Sequence, residues 1–308
     1  MCPGRRRGAP ARRGRKVCVP WKNDGTFRRM STTGLLDRHE LALARIEERA
    51  RGENFPVVSV LAPRDARPHL RAIYSFARLV DNLGDEAAGD RNALLAELER
   101  ELDGPPRTEL MQRVHATIAA RGLPREPFAR LIEANRIDQR KARYQSWTEV
   151  KDYCTYSADP VGRLVLGVYG RAGEPDLVSL SDDVCTGLQL VNFLQDPPRD
   201  LALGRVYLPQ DDLRRFRVRD DELAGPRSER LVELLRFEAA RARTFLESGL
   251  PLARAFEGRA RRSVALFARG GLAALGALER AGWDVFAGRP APGRLTFARL
   301  TLMELARR

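Results

Sequence analysis

With 308 residues, 43% of them hydrophobic and 31% charged, the chain has material for a sizeable core in one or two domains. No apolar run reaches the roughly 18–20 residues of a membrane span; even 270–278 is closed off by Arg269 and Glu279, so a soluble or peripheral protein is expected. The net charge of +13 invites a nucleic-acid reading, but ten basic residues against one acid lie within 1–30, leaving only +4 for the other 278 residues.

In chain order, the basic arm (1–30) has no helical period, is rich in Pro, Gly and Arg, and lacks the continuous apolar stretch of a secretory signal. Met30 at its end is a candidate translation start. The arm is therefore expected to be disordered or absent, with no specific nucleic-acid site, and the folded domain to span 31–308. Helical periodicity covers 34–51, 65–86, 90–103, 108–121, 125–143, 148–157, 160–171, 181–203, 227–248, 259–282 and 294–307. Breaks fall at Gly104-Pro105-Pro106, Gly122-Leu123-Pro124, Gly173-Glu174-Pro175, Gly225-Pro226 and Gly288-Arg289-Pro290. No run alternates as a strand would, so the prediction is an all-α single domain of about ten helices. Cys2, Cys18, Cys154 and Cys185 show no metal-ligand spacing and read as thiols of a reducing cytoplasm. His39, His69 and His115 are scattered and suggest no catalytic dyad.

Two helical stretches depart from the surface pattern. In the first, Tyr74, Arg78, Asp81 and Asp85 share one narrow stripe while Ile73, Phe76, Ala77, Leu79, Val80 and Leu83 cover most of the remainder. In the second, Cys185, Gln189, Asn192, Asp196 and Asp200 line up among Val184, Leu188, Leu190, Val191, Phe193 and Leu194. Spacing alone carries little, because twenty aspartates in 308 positions give roughly one such pair by chance. The apolar surroundings carry more. Two like charges one turn apart repel by about 0.2–0.5 kcal/mol in water, and by more where water is scarce, so each pair needs a cation. Carboxylates at this spacing suit magnesium, which binds one or two of them together with substrate phosphates. For either pair taken alone, a solvated helix end is an equal alternative.

Several ordered blocks resemble the squalene/phytoene synthase family of head-to-head prenyl synthases, over about Glu53–Arg289. Asp81–Asp85 (DNLGD) and Asp196–Asp200 (DPPRD) resemble its two aspartate motifs, and Gly204–Pro209 (GRVYLP) the segment after the second. Within the family, Glu53–Val57, Ser157–Leu166 and Leu190–Asp196 are most similar to the hopanoid-pathway C-type branch of squalene and hydroxysqualene synthases. The resemblance implies an all-α isoprenoid synthase fold around an apolar cavity, whose opposite walls carry the two motifs. It implies Mg2+ as cofactor and a prenyl diphosphate substrate, farnesyl or presqualene diphosphate, ionised to an allylic cation that the cavity shields from water.

Carried over residue by residue, Asp81, Asp85, Asp196 and Asp200 match the metal ligands. Arg78, Asn192 and Tyr207 match catalytic positions, and Asn54, Phe55, Tyr74, Tyr153, Gly162 and Arg205 match substrate-binding ones. For Tyr74, Tyr153 and Phe193 plain core packing is an equal reading, and Val161, Leu164 and Leu188 are candidates for setting chain length. The branch implies conversion of presqualene diphosphate to hydroxysqualene by water capture, beside companion enzymes of the hopanoid pathway. The location implied is the cytoplasm, with a peripheral contact at the inner membrane face. No Gly-rich strand-to-helix loop offers a site for NADPH, which leans against reduction. Squalene or phytoene synthesis from two farnesyl or geranylgeranyl diphosphates is the alternative reaction, and a non-catalytic assembly role the alternative of another kind.

Three departures qualify the resemblance. Asn82 and Gly84 stand where many relatives carry further acids. Pro197 and Pro198 interrupt the second motif and are expected to kink the helix and rotate Asp200 away from Asp196. Trp283 stands where the family usually has tyrosine.

Overall fold

Periodicity becomes helix throughout residues 61–306, which are the residues the computed structural model describes. The basic arm, the candidate helix over 34–51, and Asn54 and Phe55 lie outside the described residues. Helices run in the order α1 (Arg67–Asp85), α2 (Arg91–Asp103), α3 (Glu109–Arg121), α4 (Glu126–Arg140), α5 (Trp147–Ser157) and α6 (Asp159–Val168). They continue as α7 (Pro175–Gln195), α8 (Pro197–Ala202), α9 (Gln210–Arg215), α10 (Asp220–Ala224), α11 (Glu229–Ser248), α12 (Gly258–Arg280) and α13 (Arg294–Ala306), with a 3-10 turn at Leu250–Ala255. The chain is all-α, as the periodicity predicts.

Local chemistry sets many of the boundaries. Asp90, Ser146 and Ser228 accept backbone N–H groups at the starts of α2, α5 and α11, each cap contributing about 1 kcal/mol. The stretch predicted over 125–143 stops at Arg140, because Lys141 turns extended and Arg143 pairs with Val206 in an isolated parallel bridge. The stretch predicted from 181 begins earlier, at Pro175, whose ring suits the first turn of a helix. α9 and α10, of six and five residues, and the 3-10 turn have no counterpart among the periodic stretches.

Two large apolar clusters flank the site. One joins α1 to α4 with α6 and holds Phe76 and Phe128, both fully buried, edge-to-face at 5.1 Å. Truncating either ring to Ala would cost about 3–5 kcal/mol. The other gathers α5, α7, α11 and the end of α12. α7 is the hub between them, packed against α5, α6, α11 and α12. Its last turns, with α8, therefore face the end of α1 across the junction of the clusters.

Candidate active site

The first wall is the polar stripe of α1. Arg78 Nη1 lies 3.8 Å from a carboxylate oxygen of Asp81, whose side chain is half exposed, whereas the Asp85 side chain is only 20% exposed. The missing acid at position 84 has a packing reason. A Cβ on Gly84 would lie 1.9 Å from Asn135 Oδ1, and the Gly84 carbonyl accepts from Gln139 Nε2 at 3.0 Å, so glycine lets α1 and α4 touch. Asn82, the other departure, is buried.

The second wall ends α7. Pro197 does stop the helix, with Gln195 its last residue, but α8 restarts at once because proline is accommodated at a first turn. The N–H of Asp200 still donates to the Asp196 carbonyl at 2.9 Å, so one turn is kept across the break. The expectation that Asp200 rotates away from Asp196 is thus corrected: both carboxylates line the same cavity. Burial pushes the Asp200 carboxyl up to about 8, with neighbouring Asp196 adding to the rise. Asp85 also raises it, so the two walls sense each other.

Two arginines pair with these acids, one on each wall. Val206 pairs with Arg143 in the isolated bridge, its N–H donating to the Ala142 carbonyl at 2.9 Å, and its neighbours Arg205 and Tyr207 both line the same cavity. Arg205 Nη1 donates to Asp85 Oδ1 at 2.5 Å and lies 3.7 Å from Asp138. Arg289, between α12 and α13, donates through Nε to Asp196 Oδ1 at 2.8 Å and through Nη2 to Asn192 Oδ1 at 3.0 Å.

Asp138 on α4 accepts from the Tyr153 hydroxyl at 2.6 Å, while its second oxygen is buried without a hydrogen-bond partner. Burial pushes its carboxyl up to about 6 against the pull of Arg205 and Tyr153. Above it the rings stack. Phe193 and Tyr207 are 4.2 Å apart and 8° from parallel, and Tyr153 lies 5.4 Å from Tyr207. Burial raises both tyrosine hydroxyls well above the ordinary phenol range.

These groups line one cavity of about 560 Å³. Ser157, Gln189 and Asn192 also line a second space of about 190 Å³, otherwise walled mainly by apolar side chains such as Val161, Val165, Leu188 and Phe267. The polar chamber thus adjoins an apolar channel, the two sharing these three wall residues. In the channel wall a Cβ on Gly162 would lie 2.3 Å from Ser181 Oγ and 2.6 Å from Cys185 Sγ, so the close approach of α6 to α7 requires glycine.

Among the described residues no three or more His, Cys, Asp or Glu side chains converge into a ready-made metal cage. The donors come instead as carboxylate pairs on facing walls. That set fits magnesium, which completes its octahedron with water and substrate phosphate rather than with an all-protein cage.

Residues 49–298 match the family model for squalene/phytoene synthases. The chain belongs to the squalene/phytoene synthase family. A hydroxysqualene synthase of Sinorhizobium fredii is 41% identical over 207 residues, 65% of this chain and 70% of that protein. A 15-cis-phytoene synthase of Synechocystis is 32% identical over 213 residues, 63% of each chain. The crystal structure of a squalene synthase from Alicyclobacillus acidocaldarius superposes with a TM-score of 0.70 at 42% identity, covering 82% of this chain and 99% of that one. The chain is therefore an enzyme of the squalene/phytoene synthase type with the all-helical isoprenoid synthase fold.

The structure brings Arg78, Asp81, Asp85, Tyr153, Asn192, Asp196, Asp200, Arg205 and Tyr207 to one chamber and Gly162 to the adjoining channel. Tyr74 lines neither space, and Leu164 is buried in the first cluster while Val161 and Leu188 do face the channel. Trp283 is buried in the second cluster at φ 63°, one residue past Gly282 at the end of α12. Sequence reasoning missed Asp138 and Arg289. For Asp138 a signal existed, since it follows Leu131 and Ala134 on one inward helical face. For Arg289 there was none, because it sits in a Gly-Arg-Pro break.

Proposed function

We propose that this enzyme is a magnesium-dependent C30 synthase that ionises presqualene diphosphate and lets water capture the rearranged cation, giving hydroxysqualene and diphosphate. The observation that carries the reading is the union of two facing aspartate pairs with a polar chamber that adjoins an apolar channel. The diphosphate sits in the chamber and the prenyl chains in the channel.

Asp81, Asp85, Asp196 and Asp200 would hold Mg2+ against the diphosphate, neutralising charge on the leaving group. Arg78, Arg205 and Arg289 supply guanidinium forks suited to the same oxygens once they exchange their carboxylate partners. Asn192, held by Arg289, orients that side of the site. Phe193, Tyr153 and Tyr207 present ring faces, whose negative quadrupole suits an allylic cation. The channel excludes bulk water until rearrangement is complete. Asp138, titrating near 6, is placed to accept the proton released when water adds.

The similarity to hydroxysqualene synthase in sequence favours water capture; the similarity to a squalene synthase in structure favours a second reading, condensation of two farnesyl diphosphates. Incubating purified enzyme and Mg2+ with farnesyl or presqualene diphosphate, with and without NADPH, separates them. Hydroxysqualene from presqualene diphosphate without NADPH is the expected product. A 40-carbon product from geranylgeranyl diphosphate would overturn the C30 assignment.

A further inference from the structure

We propose that the outer face of α13 docks this protein on an anionic phospholipid bilayer. Of the five large apolar side chains exposed among the described residues, four belong to this one helix: Leu295 (87% exposed), Leu302 (64%), Leu305 (46%) and Met303 (40%). At 100° per residue Leu295 and Leu302 point nearly the same way and Leu305 lies about 60° from Leu302 and about 80° from Leu295, a stripe nearly three turns long. Glu304, about 200° from Leu302, points inward, is 3% exposed and is bonded to Arg269 of α12. Phe297 and Leu300 are half-buried. The helix is therefore apolar on more than its packed side, and a helix of that composition ordinarily has cover on both.

Charge decides the occupant. Arg294 and Arg299 are exposed on the same helix, and exposed Arg254 shares a surface hollow with Glu304; none of the three makes an ion pair among the described residues. Leucines interspersed with long basic side chains, whose stems lie along the apolar surface while the guanidinium reaches outward, are the chemistry of a helix lying in a lipid headgroup layer. Arg299 lies within the leucine stripe itself, where a second copy of the chain would bring like charges together. Among the described residues no helix is long and apolar enough to cross a membrane, so the contact is with the interface rather than a span.

The location also connects to the interior. The 3-10 turn Leu250–Ala255 supplies Arg254 to the hollow beside Glu304 and Leu252 to the apolar channel, and α12 contributes Arg269 to the first and Val264 and Phe267 to the second. The helix that carries the inferred lipid contact thus packs, by its inner side, on elements that also wall the channel read above as the prenyl site. This last point rests on the proposed function; the surface chemistry does not.

The test is cosedimentation of the full chain with vesicles, without substrate, so that it succeeds or fails apart from the catalytic reading. Binding is expected to phosphatidylcholine vesicles containing about a third phosphatidylglycerol, to weaken with salt, and to be absent on phosphatidylcholine alone. Leu295→Asp with Leu302→Asp should lower binding about 100-fold, roughly tenfold per leucine, at an unchanged melting temperature. Arg294→Ser with Arg299→Ser, which leaves the leucines intact, should lower it about 25-fold. Three results would overturn the proposal: no binding to anionic vesicles, binding that both double variants retain, or a dimer in light scattering that the leucine variant dissolves without any vesicle binding in the parent.

Discussion

Replacing Asp200 by Asn removes a charge whose cost can be worked from its surroundings. In the folded chain its carboxyl titrates at about 8 against an ordinary value of 3.8, burial being the main cause and Asp196 the next. Between those values the folded chain holds a proton that the unfolded chain has lost, so wild-type stability falls as pH rises through that window. Below it both states are protonated and ionisation makes no difference; above about 8 the full penalty is felt. At ~1.4 kcal/mol per pH unit the gap caps the penalty at about 6 kcal/mol. The chamber admits water, which screens the charge, and about 2–3 kcal/mol is the expected remainder. Urea denaturation of chelator-treated protein from pH 4 to 9 reads it directly. The Asn variant should match the wild type near pH 4 and exceed it by about 2–3 kcal/mol at pH 9. Parallel stability curves across that range would refute the account of a destabilised, cation-seeking second wall.

Three further outcomes follow from the geometry. Tyr153→Phe removes the 2.6 Å hydrogen bond to Asp138, so the acid limb of the kcat/KM profile should move from near 6 upward by roughly one pH unit; an unmoved limb would remove Asp138 from the proton balance. Gly162→Val drives a side chain into Ser181 and Cys185, and should cost about 1–3 kcal/mol in denaturation and raise KM for the prenyl substrate. A variant matching wild type in both measurements would contradict the close helix approach. Arg289→Ala severs the contacts to Asp196 and Asn192 and should weaken binding of a diphosphate analogue about 10–100-fold by calorimetry, whereas unchanged affinity would leave Arg289 a purely structural clasp.

The helices were legible wherever a long apolar period survived, since burying one face leaves its mark at every third or fourth residue. The segments missed were those too short to show a period, α9, α10 and the 3-10 turn, together with the first turn of α7, where Pro175 reads as a breaker but serves as a start. The aspartate stripes were legible for the same reason in reverse, as polar lines in apolar helices. What sequence could not convey was how residues distant in the chain meet. Arg205 reaches Asp85 across 120 positions and Arg289 reaches Asp196 across 93, and only the packed clusters fix those encounters. Pro197 was read by its local rule alone. The Asp196–Asp200 backbone bond shows that a break at a helix junction can leave two carboxylates facing one chamber.

The central claim is that the two aspartate walls hold a metal–diphosphate together, and calorimetry with a non-hydrolysable farnesyl diphosphate analogue tests it most directly. Binding should require Mg2+ in the wild type and fall by at least about 100-fold in Asp81→Ala and in Asp196→Ala alike. Equal affinity with and without Mg2+, or full affinity in either variant, would contradict it.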